Sequence, residues 1–242
     1  MSTSPRTVSY VIPCLNEAES ISECVRRAKE VLERNNIQGE VIVADNGSSD
    51  DSVTLAEQAG ARVVHARIRG YGEALKTGFE AAQSTYIFMA DADMSYDFAD
   101  MPRFLACAES TGASFVIGCR FPNGGGKLLP GAMPWYRQYI GNPVLSGLGR
   151  LLYRSKVKDF HCGARLFKKS ILPSLSATSS GMEFASEMII KAHIRGVHIE
   201  QVPIVLHPDN RKKASHLRPV RDGLRHMRTL LKYWPEFLRK IP

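Results

Sequence analysis

A chain of 242 residues, 44% apolar and 23% charged, has the composition of one large folded domain with a substantial core. Its five cysteines are odd in number and form no Cys-x-x-Cys pair, and no leader sequence precedes them. That pattern argues against a disulfide framework or a structural zinc and for a reducing cytoplasm. No apolar run approaches the roughly 20 residues that span a bilayer, and the net charge of +8 is concentrated at one end, where residues 207–242 carry ten Lys and Arg against three acids.

Residues 8–13 (VSYVIP) read as a buried first strand. Asn16 is placed to cap the helix that follows, with Glu17 and Glu19 in its first turn. Ile21, Cys24, Val25, Ala28, Val31 and Leu32 then keep helical spacing to about residue 35. Residues 40–45 (EVIVAD) predict a second strand, and Gly47-Ser48-Ser49-Asp50 a turn that caps a helix over about 51–59. A third strand is expected over 61–66, and Gly70-Tyr71-Gly72 opens a helix to about residue 82. The unbroken apolar run Tyr86-Ile87-Phe88-Met89 suits a fourth strand buried on both faces. This alternation predicts a mostly parallel α/β sheet, with helices on both faces and right-handed crossovers.

Further on, the pattern predicts a helix over 98–109, a strand over 114–118 and a mobile Gly/Pro-rich loop over 121–134. A helix over 135–153, a strand over 164–168, a helix over 183–195 and a strand over 199–207 follow. A last helix, 219–233, has Pro in its first turn. No second core stands behind a linker. The expected organisation is therefore one catalytic domain, 1–206, and a basic helical appendage, 207–242.

The fourth strand delivers Asp91 and Asp93, spaced i, i+2, to its carboxyl end. Ligands of open α/β sheets sit at that end. Two carboxylates so spaced can share one hard divalent cation, Mg²⁺ or Mn²⁺, or a diphosphate held through it. Other chemistries find less support. Gly70-x-Gly72 has no third glycine and follows the wrong strand for a dinucleotide fingerprint. No Gly-x-Ser-x-Gly occurs, and His161-Cys162 has no partner at zinc spacing. A nucleic-acid module using the basic tail would leave the Asp-x-Asp without purpose, so no nucleic acid is expected.

In combination, the motifs VIPCLNEAESI (11–21), VIVADNGSSDDS (41–52), GYGEALKTG (70–78), MADAD (89–93) and VIGCRF (116–121) resemble the family 2 glycosyltransferases of GT-A fold, a Rossmann-like nucleotide-sugar-binding architecture. Within them, VKDFHCGARLFKKSIL (157–172), GMEFASEMIIKA (181–192) and EQVPIVLHPDNRKKASHL (200–217) are similar to segments of the branch that makes dolichol-phosphate mannose and polyprenyl-phosphate glycoses. The resemblance implies base and ribose contacts from Pro13, Leu15, Glu17, Val43 and Asp45. It implies metal and diphosphate contacts from Asp91 and Asp93, with the Ala92 backbone beside them. It implies phosphate contacts from Arg120 and Arg211, which fits the bidentate preference of guanidinium for phosphate. The chain departs from the pattern at Asn46, where a second acid is usual, at Ser95, where Gln is common, at Cys162-Gly163-Ala164-Arg165, and at Ser215-His216.

The implied reaction is inverting, metal-dependent hexosyl transfer from a nucleotide diphosphate sugar to a polyprenyl phosphate. The alternative is transfer to a sugar or small-molecule hydroxyl by a soluble family member. A hydroxyl acceptor needs a general base. The usual Asp is missing from 181–188, which leaves Glu183 or Glu187 as substitutes. A phosphate acceptor needs cations instead, and Arg120 and Arg137 are expected to hold it. Asp93, Arg120 and Glu183 are thus the expected catalytic groups. In the last helix, Leu217, Val220, Leu224, Met227, Leu231 and Trp234 form an apolar stripe beside a basic one. The simpler expectation is that the apolar stripe packs on the domain. The other is that the basic stripe meets anionic headgroups on the cytoplasmic face of a membrane.

Overall fold

The computed structural model describes residues 7–209 and 219–240. The chain runs β1 (Thr7–Cys14), α1 (Ile21–Arg34), β2 (Gln38–Asp45), α2 (Ser52–Gln58), β3 (Arg62–His65), α3 (Tyr71–Ala81) and β4 (Tyr86–Met89). It continues through α4 (Met101–Thr111), β5 (Phe115–Cys119), β6 (Lys127–Leu128), α5 (Asn142–Tyr153), β7 (Arg165–Lys168) and α6 (Leu172–Leu175). It ends with α7 (Phe184–Ile194), β8 (Ile199–Pro203), β9 (Val205–Leu206) and α8 (Pro219–Leu238). Seven strands form one sheet in the order β3-β2-β1-β4-β7-β5-β8. All neighbours are parallel except β7, which runs antiparallel to both β4 and β5.

Burial along β1 explains its central place. Val8 through Ile12 are wholly buried, which requires cover on both faces. On one face Tyr10 and Phe88 pack edge to face, with Phe98 and Phe104 of the α4 region against them. On the other, Phe79 of α3 meets Phe167 of β7 at 5.0 Å. Gly78 of α3 lies so close to Val11 that a Cβ there would stand 3.2 Å from the Ala44 side chain and nearer still to Val11. The last glycine of the GYGEALKTG segment therefore serves helix-on-sheet contact.

Three details differ from the sequence expectation. Helix α1 starts at Ile21, because Asn16 takes a left-handed conformation (φ 57) and does not cap it. Its amide instead donates to Ser48 Oγ (2.9 Å) and its Oδ1 accepts from Ser49 N (2.8 Å), joining the loops after β1 and β2. The expected strand over 199–207 divides in two, and β9 pairs with β6 in a small second sheet. The helix expected from residue 135 passes through a π-helical turn, Arg137–Gly141, before α5 begins at Asn142. No described helix is long and apolar enough to cross a membrane.

Helix α8 packs on α5 and α7 and buries Asp222, His226, Thr229, Leu230 and Tyr233. Tyr233 Oη donates to Glu187 of α7 at 2.6 Å, and Tyr153 Oη of α5 donates to the Leu230 carbonyl at 2.6 Å. The side facing the domain is thus the mixed one. Of the expected stripe, Val220, Leu224, Leu231 and Trp234 are exposed, Met227 is half-buried and Leu217 lies outside the described residues, which corrects the expectation that the described part of the stripe packs inward.

Candidate functional site

The parallel register brings β1, β2, β3 and β4 to a common edge, where Cys14 pairs with Asp45, Asp45 with His65, and Val11 with Met89. Just beyond β4, Ala90 and Ala92 are buried, and Asp91 and Asp93 between and after them reach the wall of a cavity of about 580 Å³. Each carboxylate is oriented from its own side. Tyr71 Oη, at the start of α3, donates to Asp91 Oδ1 at 2.9 Å. Ser95 donates to Asp93 Oδ1 from its amide (3.0 Å) and its hydroxyl (2.6 Å). Burial, and then the charge of Asp91, push the Tyr71 phenol well above its ordinary value, so it remains a donor. Gly163 closes the back of Asp91, where a Cβ would stand 2.6 Å from Oδ2.

The donor set suits a hard divalent cation. It is all oxygen and carries two charges at the cavity wall. Among the described residues no cluster of three or more His, Cys, Asp or Glu side chains is arranged to hold a metal. Asp91 and Asp93 would therefore share the ion with substrate oxygens and water.

Pro13, Leu15, Glu17 and Ala92 line the same cavity. Four other expected positions fall elsewhere. Val43 is wholly buried, with its backbone laddered to β1 and β3, so it offers a nucleotide neither side chain nor main chain. Asp45 sits behind the wall. Its carboxylate accepts from the amides of Gly47 and Ser48 (both 3.1 Å) and faces His65 Nδ1 at 3.2 Å. Burial pushes the Asp45 carboxyl up, but these hydrogen bonds outweigh it and hold the group below its ordinary value. Arg120 is only 4% exposed and bidentate to Asp159 (2.7 and 2.8 Å), a pairing that commits the guanidinium expected to meet phosphate. Arg137 is half-buried on the π-helical turn, away from the cavity lining, where burial and the charge of Arg120 lower its pKa. Arg211 lies outside the described residues.

The two candidate bases differ. Glu187 is wholly buried and accepts from Thr178, Ser179 and Tyr233. Burial raises its pKa, but these donors overcome that and keep it low, so it is a structural carboxylate. Glu183 stands at the start of α7, with Oε2 buried, no hydrogen bond to it among the described residues, and Arg225 Nη1 at 3.9 Å.

Several lining groups carry no site role from sequence, and Asn46 enters there only as a departure from the family pattern. Asn46 faces the cavity and holds the start of α3 through a bond from the Gly70 amide to its Oδ1 at 3.0 Å. Tyr71 lies in the segment whose glycines drew attention, and Arg69 stands just before it. Arg221 and Arg225, at i, i+4 on α8, look into the cavity together with Asp222. The only sequence signal for them was that spacing, which also fits an ordinary basic helix face.

The profile described as Glycosyl transferase family 2 matches residues 9–175. A low-salt glycan biosynthesis hexosyltransferase of Haloferax volcanii, Agl6, is 38% identical over 236 residues, covering 98% of this chain and 56% of its own length. The glycosyltransferase AglJ of the same organism is 30% identical, covering 90% of this chain and 69% of its own. The chain thus spans a little over half the length of the first of these relatives. Among solved structures, glucosyl-3-phosphoglycerate synthase from Mycobacterium tuberculosis, in complex with phosphoglyceric acid, superposes with a TM-score of 0.73 at 22% identity over 95% of this chain and 80% of its own. Another crystal of that enzyme, holding Mn²⁺, uridine diphosphate and glucosyl-3-phosphoglycerate, gives 0.70 at 23%.

Proposed function

The chain belongs to glycosyl transferase family 2, and we propose that within it the protein transfers a hexose, mannose or glucose, from a nucleotide diphosphate sugar to a polyprenyl or dolichyl phosphate with inversion at the anomeric carbon. The observation that carries this reading is the joining in one cavity of the strand-end carboxylates Asp91 and Asp93 with the guanidinium groups of Arg221 and Arg225. The similarity to a glycan-biosynthesis hexosyltransferase agrees with it.

Pro13, Leu15, Glu17 and Asn46 form the wall suited to the nucleoside, and Asp91, Ala92 and Asp93 the end suited to the diphosphate. Mg²⁺ or Mn²⁺ bound there would supply Lewis-acid neutralisation of the leaving diphosphate. Tyr71 and Ser95 fix the two carboxylates before the ion arrives, so less order must be gained on binding. A phosphate monoester is already ionised near neutral pH and attacks without surrendering a proton. Its need is for cations, which Arg221 and Arg225 present at the cavity. Arg120 and Arg137 contribute to the field behind it; Arg120 would have to leave Asp159 to touch the acceptor directly. Such an acceptor lives in a membrane, and the reading puts the enzyme at its cytoplasmic face.

One observation favours a second reading. The buried, hydrogen-bond-free Oε2 of Glu183 beside Arg225 is the kind of carboxylate that could take a proton from a hydroxyl acceptor. A paired assay decides. Labelled donor is offered polyprenyl phosphate and, in parallel, free polyprenol and simple glycosides, with wild type, Glu183→Gln and Arg225→Ala. We expect transfer to the phosphate, retained by Glu183→Gln and reduced about tenfold or more by Arg225→Ala. Transfer to alcohols alone, abolished in Glu183→Gln, would establish the second reading instead.

A further inference from the structure

Twelve large apolar side chains are exposed among the described residues, and eleven of them belong to two segments, residues 135–151 and α8; Ile68 is the other. The concentration is far from the scatter expected of an ordinary surface. On the first segment Tyr136, Ile140, Val144 and Leu151 recur at helical spacing, with Trp135 and Tyr139 beside them. Leu151 is 77% and Tyr139 70% exposed. On α8 the sequence Val220, Leu224, Met227, Leu231, Trp234, Leu238 recurs at alternating steps of four and three, a stripe one side of the helix wide.

The two stripes form one face. Helix α5 packs on α8 through Leu145, Tyr153, Leu230 and Tyr233, above Ile190 and Ile194 of α7, and the half-buried Leu148 and Leu152 of α5 and Met227 and Phe237 of α8 pack against this shared cluster. Tyr153 and Phe237 meet edge to face at 5.1 Å across it. Charge on this face has one sign. Residues 135–154 contain three arginines and no acid. On α8 the exposed charges are Arg221, Arg228 and Lys232, while Asp222 is buried and Glu236 is paired with Lys191 and Arg195.

We propose that this two-helix face docks on an anionic lipid bilayer, with Trp135, Leu151, Leu231 and Trp234 entering the headgroup–acyl boundary and the flanking Arg and Lys meeting lipid phosphates. The chemistry is that of an interfacial helix pair. Exposed apolar rows, aromatic rings at the water boundary and a basic rim without acids all match such a surface. A soluble protein partner or a second copy would match the apolar rows, but not the unrelieved positive rim, which repels its own copy. The sequence-based expectation assigned lipid contact to the basic stripe of α8 alone. Here the apolar stripe makes it, and residues 135–151 supply half of the face. Because Arg221 and Arg225 belong to α8 and also line the cavity, docking would set the cavity at headgroup level.

The proposal stands independently of the acceptor, since vesicles without any polyprenyl phosphate test it. The chain holds two tryptophans, Trp135 and Trp234, both on the face and one on each helix. Their fluorescence with phosphatidylcholine vesicles, alone or mixed with phosphatidylglycerol, is therefore a direct probe, and Trp135→Phe and Trp234→Phe separate the two halves. We expect a blue shift from each tryptophan and co-sedimentation with the anionic vesicles only, weakened by salt. Leu151→Ser with Leu231→Ser should lower the partition about tenfold or more, and Ile68→Ser should leave it unchanged. Absence of shift with anionic vesicles, equal binding to neutral ones, or a dimer that Leu231→Ser dissolves would each overturn the proposal. Transfer to polyprenyl phosphate without vesicle binding would overturn it while leaving the acceptor reading intact; vesicle binding without transfer would do the reverse.

Discussion

At the scale of residues, the two carboxylates after β4 dominate the account. Asp91→Asn and Asp93→Asn replace acceptor charge without changing shape. Each is expected to reduce hexosyl transfer by a hundredfold or more, with circular dichroism and melting temperature close to wild type, because both groups border the cavity. Wild-type turnover in both variants at limiting metal would contradict the assignment. A second residue-scale expectation concerns acid. Burial lowers the pKa of His193 and of His226 from 6.5 to about 4. Between those values the unfolded chain takes up protons that the folded protein refuses. Stability is therefore full above about pH 6.5 and falls as the pH drops toward about 4, each pKa unit being worth about 1.4 kcal/mol. Melting temperature across that range checks the slope, and the imidazole resonances of both histidines should stay neutral until near pH 4. Site legibility was uneven at this scale. Asp91 and Asp93 stood out because a strand end needs few contacts to be recognised. Arg120 looked like a free phosphate ligand because its partner Asp159 is 39 residues away, and nothing local announces a buried bidentate pair. Val43 was misplaced for a similar reason, since an apolar strand residue gives no sign of how close it lies to the end of the ladder.

At the scale of elements, the strands and the helices between them were readable because each local pattern agrees with the global packing. The helical spacing of Ile21 through Leu32 and the apolar run of β4 are buried as that periodicity predicts. Helix α8 was readable as a helix but not in its orientation. Periodicity finds an apolar stripe without saying whether protein or something else covers it. What holds α8 inward is an apolar cluster around Leu230 and Tyr233 reinforced by buried polar bonds: Tyr233 to Glu187, Tyr153 to the Leu230 carbonyl, and Ser186 Oγ to His226 Nδ1 at 2.8 Å. Tyr233→Phe removes a donor from a buried carboxylate and should cost about 1–3 kcal/mol. Chemical denaturation measures it, and an unchanged midpoint would show that the hydroxyl is not what ties α8 to α7.

At the scale of the whole molecule, one edge of the sheet gathers the cavity, and α8 lies beside it with one side against the domain and the other open. The antiparallel β7 was not read from sequence, because strand direction depends on where the preceding chain crosses, which no local pattern records. Its effect is to carry the 159–164 loop, with Asp159 and Gly163, behind the carboxylates from the opposite direction. The composite claim is that Asp91 and Asp93 hold the donor's diphosphate through a divalent ion in this cavity. Titration calorimetry of uridine and guanosine diphosphates into wild type, Asp91→Asn and Asp93→Asn, with Mn²⁺ and with chelator, tests it most directly. Wild type is expected to bind one of the nucleotides only when Mn²⁺ is present, and each variant at least a hundredfold more weakly. Equal affinity in chelator, or in either variant, would contradict it.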